Sequence, residues 1–90
     1  HPLSYLWEVS NTLTEMQTAL EVARDRCELA ASQAQLAYQT AQSLGSASLI
    51  TGSEELQRVI LAVRQQLAET CHGAALATHE ANELASGATV

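Results

Sequence analysis

Glu69-x-x-His72 is the first arrangement in this 90-residue chain that could do chemistry. A carboxylate and an imidazole three residues apart share a helix face, and carboxylate-bridged metal bundles are built from that local element. His79 and Glu83 add a pair at i, i+4. A di-metal centre needs the element twice, together with further carboxylates projecting inward. Here Glu69 and His72 fall off the apolar seam described below, and no Glu of the preceding helix points inward, so the four side chains read as solvated and a metal-binding bundle ranks only third among the functional readings. Cys71 and His72 are adjacent, and consecutive helical residues point about 100° apart, which is too divergent for a thiolate–imidazole pair. Neither cysteine, Cys27 or Cys71, has a zinc-type spacing to a second ligand, and both read as free thiols in a tight helix contact. There is no Gly-rich phosphate loop, no nucleophile elbow and no plausible Ser/His/Asp set. The expectation is a protein that is not an enzyme, with no cofactor and no metal.

Whatever these residues do, helices must position them. The chain has no Phe, a single Pro and 3% aromatic residues, a composition suited to thin, Ala-lined helix contacts rather than to a bulky core. Ninety residues make at most one small domain, which buries a modest fraction of its surface and often needs a partner. Ten acidic residues stand against four Arg and no Lys, a net charge of −6. That balance leaves no basic footprint for nucleic acid or for an anionic membrane surface. No stretch reaches the roughly 18 uninterrupted apolar residues of a spanning helix. Two cysteines are too few for a secreted disulfide framework, which favours a reducing, cytoplasmic setting, with localisation otherwise unknown. His1-Pro2 is not an initiator sequence, and the chain reads as part of a larger protein.

From Leu6 to Leu44 an apolar or small residue recurs at unbroken 3–4 spacing: Leu6, Val9, Leu13, Met16, Leu20, Ala23, Cys27, Ala30, Ala34, Ala37, Ala41, Leu44. This heptad pattern predicts a helix over about 3–44, with Gly45 as a left-handed stop. Residues 45–53 are small and turn-prone and predict a loop, and Thr51-x-x-Glu54 reads as a capping box. A second seam, Leu56, Ile60, Val63, Leu67, Thr70, Ala74, Ala77, Ala81, Leu84, predicts a helix over about 54–86 that Gly87 ends. Placed antiparallel, the seams set small against large: Ala37 opposite Val63, Cys27 opposite Ala74, Met16 opposite Leu84. The paired numbers add to 100 or 101. The fold class is therefore all-α, a long antiparallel two-helix hairpin with an Ala-rich seam. A three-helix bundle broken near Gly73 is the alternative, since a mid-helix Gly costs about 1 kcal/mol.

Such a hairpin leaves apolar residues over. Val22, Leu29 and Leu36 recur at seven-residue spacing, and Val59, Ala62 and Leu76 accompany them on the second helix. In this pairing they flank the seam on one side and call for another layer of helices. The pairing also leaves residues 1–11 overhanging, so Leu3, Tyr5, Leu6 and Trp7 read as a docking element. No motif assigns a family: the hairpins of bacterial type VII secretion carry their Trp-x-Gly at the turn, and Trp7 is remote from it. The functional expectation is a scaffold or oligomerisation module for protein–protein interaction. It forms a homodimer as a four-helix bundle, or else is a monomeric adaptor that captures a helix of another protein.

Overall fold

The computed structural model describes residues 2–88. Two helices account for nearly all of them, α1 over Pro2–Leu44 and α2 over Ala47–Ala88. They run antiparallel as a helical hairpin, and α2 passes through Gly73 without a break, which removes the three-helix alternative. The turn between them is far shorter than the expected loop 45–53. Gly45 takes φ +67°, a left-handed conformation that glycine adopts without a Cβ penalty, and its N–H donates to the Gln42 carbonyl at 3.1 Å. Ser46 then caps α2, accepting the Leu49 N–H at its Oγ at 3.4 Å.

Helix α2 thus starts several residues before the expected Thr51 box, and Gly52 is absorbed into it. Helical propensity explains why: Ala47, Leu49 and Ile50 carry the apolar periodicity back to the turn, and a single internal Gly costs less than an unsatisfied loop would. Gly87 likewise lies inside α2 and has no positive φ, so it does not act as the predicted stop.

The chain divides into two compact units, residues 1–22 with 68–90 and residues 23–67. In the first, the buried positions are Ser10, Ala74, Thr78, Ala81 and Ala85. Leu3, Leu6, Leu13, Gln17, Leu20 and Cys71 are half-buried around them. The Ser10 hydroxyl donates to Asn82 Oδ1 across the helices, and the Thr78 hydroxyl donates back to the Ala74 carbonyl at 2.8 Å. These bonds let hydroxyls line a helix contact without an unsatisfied group.

In the second unit the buried positions are Ala34, Ala41 and Ser53. Ala31, Tyr38, Gln57, Ile60 and Leu67 are half-buried beside them. Cys27 Sγ faces the Ile60 carbonyl at 3.9 Å, and Glu28 takes Arg64 in a two-pronged ion pair at 2.8 and 3.0 Å. No large side chain is fully buried among the described residues, and every buried apolar residue is an alanine.

Two corrections to the predicted pairing follow. Ser10 with Asn82 and Glu28 with Arg64 each add to 92, not to 100 or 101. The short turn has moved each partner by about eight residues, roughly 12 Å at 1.5 Å per residue. Cys27 Sγ lies on the Ile60 carbonyl and not beside the expected Ala74, and Ser10 is paired with α2, so the amino-terminal turns do not overhang.

The second correction is rotational. On α1 the seam keeps Leu6, Leu13, Leu20, Ala23, Cys27, Ala30, Ala34 and Ala41 but takes Ser10, Gln17 and Tyr38 in place of Val9, Met16 and Ala37. On α2 it keeps Ile60, Leu67, Ala74 and Ala81 but takes Ser53, Gln57, Cys71, Thr78 and Ala85 in place of Leu56, Thr70, Ala77 and Leu84, and Val63 is exposed. Ser10 in place of Val9 and Ala85 in place of Leu84 let the two backbones approach, and Gln17, Tyr38 and Gln57 enter with the frame as half-buried side chains.

Candidate interaction surface

The rotated seam leaves many large apolar residues outside it. Tyr5, Trp7, Val9, Met16, Val22, Leu76 and Leu84 are exposed in the first unit. In the second unit Leu29, Leu36, Leu44, Leu49, Leu56, Val59, Leu61 and Val63 are exposed, with Leu44 at 69% and Leu36 at 63%. Single exposed apolar residues are ordinary on protein surfaces, but these recur at helical spacing.

Of the residues the sequence singled out, Leu3 and Leu6 are half-buried in the first unit, while Tyr5, Trp7, Val22 and Leu76 are exposed there. Leu29, Leu36, Val59 and Ala62 are exposed in the second. Seven-residue spacing from the observed seam places Val22 and Leu29 on the side of α1 turned away from α2, not beside the seam, while Leu36 reaches the rim of a cleft it shares with Leu44 and Leu49. The residues beside the seam belong to the frame that sequence reasoning placed inside it. In the second unit they are Ala37 and Leu44 on α1, in line with half-buried Ala23 and Ala30 at the edge of the seam, with Leu49, Leu56 and Val63 on α2. Both stripes lie on the same side of the hairpin, because Ala37 and Leu44 share one cleft with Leu49.

That cleft, about 420 Å³, is also lined by Gln33, Leu36, Thr40, Ala41 and Ser53 and contains no charged group. On the opposite side of the second unit a smaller cleft of about 230 Å³ lies among Ala31, Ala34, Gln35, Gln57, Ile60, Leu61 and Arg64. The Glu28–Arg64 pair borders this second side, so the two sides of the unit differ in polarity as well as in size.

The polar candidates remain dispersed. His79 Nε2 stands 4.0 Å from Glu83 Oε1, both well exposed. Among the described residues no three His, Cys, Asp or Glu side chains gather where a metal ion could be held. Cys27 and Cys71 are free thiols, half-buried. Arg58 is held above the usual guanidinium value by its hydrogen bond to Glu55, with the Glu55 charge adding to it, and this pair is exposed to solvent. Among the described residues no helix is long and apolar enough to cross a membrane.

No family model matches this chain, and no curated protein or solved structure matches it.

Proposed function

We propose that the chain is a helical association module whose role is protein–protein interaction, and that it self-associates as a homodimer of hairpins forming a four-helix bundle. The observation that carries this reading is how little large apolar surface the hairpin buries. Its buried apolar positions are alanines alone, Leu6, Leu13, Leu20, Ile60 and Leu67 are only half-buried, and Trp7, Val9, Met16, Leu29, Leu44, Leu56 and Val63 among others stand exposed. A contact lined by Ala contributes little hydrophobic stabilisation, since the free energy scales at about 25 cal/mol per Å² of apolar surface buried. Exposed Leu and Val side chains supply the missing area once a second layer covers them, each contributing up to roughly 1.5–3 kcal/mol. A non-enzymatic scaffold needs no more than this.

Association of this kind couples folding to concentration. Thermal unfolding of the chain, followed by circular dichroism between about 1 and 100 μM, is expected to shift its midpoint upward as concentration rises. A midpoint independent of concentration contradicts the homodimer and leaves a monomeric adaptor that receives a foreign helix on the same surface.

A further inference from the structure

We propose that two copies meet face to face with their turns at the same end, so that the Ala30–Ala37 stripe of α1 in each copy lies on the Leu56–Val63 stripe of α2 in the other. This deepens the self-association proposed above and rests on it. Three observations within the unit of residues 23–67 lead to it.

Charge selects the face. The carboxylates of this unit, Asp25, Glu28, Glu54 and Glu55, are matched by Arg24, Arg26, Arg58 and Arg64, and all eight charges fall outside the two stripes. The uncharged stripes are therefore where two identical faces can be covered without taking a charge out of water, which the ion-paired sides do not allow.

Size and level select the arrangement. Glu28 is level with Arg64 in the hairpin, which puts Ala30 within one residue of the level of Val63 and Ala37 within one residue of Leu56. On this face α1 is therefore small where α2 is large. Two kinds of two-fold axis can lie within a face-to-face contact of hairpins. The axis across the helices stacks α1 on α1, leaving alanine over alanine and Leu56 or Val63 against their own kind. The axis along the helices stacks α1 on α2 and keeps levels unchanged, so Ala37 receives the second copy's Leu56 and Ala30 its Val63. Only the second arrangement alternates small with large, as facing helices need if they are to pack without voids.

The cleft completes the fit. Near the turn the level residues are Leu44 and Leu49, both large, and it is there that the face opens into the uncharged hollow of about 420 Å³ beside Leu36 and Thr40. The hollow gives the second copy's leucines room that the alanine stripe gives elsewhere.

The test exchanges sizes across the interface. Dimer dissociation constants of the full chain are measured by sedimentation equilibrium for wild type, Leu56→Ala, Ala37→Leu and the double variant, with circular dichroism showing that each stays helical. Each single change is expected to raise the constant by about tenfold or more, through a hole or an overlap, and the double variant to return to within about threefold of wild type. Leu29→Glu, on the side of α1 away from α2, is expected to leave the constant unchanged. A wild-type dimer in which the two single effects simply add, or which Leu29→Glu dissociates, overturns this packing while self-association stands. A wild-type chain that is monomeric overturns both.

Discussion

Ala41 and Ala85, 3% and 0% exposed, are positions where one methyl group decides how near two helices come. Enlarging either to Leu forces the backbones apart or strains rotamers, at a cost of about 1–3 kcal/mol. Denaturant unfolding at fixed protein concentration is expected to show that loss for Ala41→Leu and Ala85→Leu, and none of comparable size for Gln39→Leu on the exposed side. The ion pairs behave differently. Glu55 raises the Arg58 pKa above its ordinary value, so any stability it lends is fully present below that value and is lost only as pH rises beyond it. Because the pair lies in solvent, Glu55→Gln is expected to leave the unfolding midpoint nearly unchanged from pH 5 to 8.

The turn decides the register of the helices. Gly45 holds a left-handed conformation that costs an L-residue about 1–2 kcal/mol, and Ser46 supplies a cap whose loss costs about 0.5–2 kcal/mol. Gly45→Ala and Ser46→Ala are both expected to destabilise the chain by these amounts in denaturant titrations. Thr51→Ala, at the cap position that the sequence suggests, is expected to change stability by less than about 0.5 kcal/mol, as exposed mid-helix substitutions do.

The existence of two helices was legible from the 3–4 recurrence, and Gly45 as the end of α1 from its place after Leu44. What was not legible was the frame. Two heptad frames overlap on α1, sharing Leu6, Leu13, Leu20, Ala23, Cys27, Ala30, Ala34 and Ala41, and differ by one residue elsewhere. Apolar size favours Val9 and Met16, whereas close approach favours Ser10, which brings Gln17 into the contact with it, and hydropathy alone ranks the first frame higher. The same ambiguity hid the interaction surface, because the residues assigned to the seam are those the hairpin leaves beside it. Register failed for a separate reason. Gly52 and Ser53 carry turn propensity, and only the cap at Ser46 shows that the helix has already begun before them.

At the scale of the whole molecule, an acidic chain brings a repulsive term to any meeting with its own copy. Exposed charges are screened within a Debye length of about 10 Å at 0.1 M salt and about 3 Å at 1 M. Raising sodium chloride from about 0.05 to 0.5 M is therefore expected to tighten the homodimer, as the apolar contact is kept and the repulsion fades. Weakening with salt would indicate instead a contact held by opposite charges.

Self-association is the central claim, and sedimentation equilibrium of the wild-type chain at micromolar concentration tests it most directly. A homodimer gives a species of twice the 9.6 kDa chain mass that dissociates on dilution. A helical species that keeps the single-chain mass across the whole concentration range would contradict it.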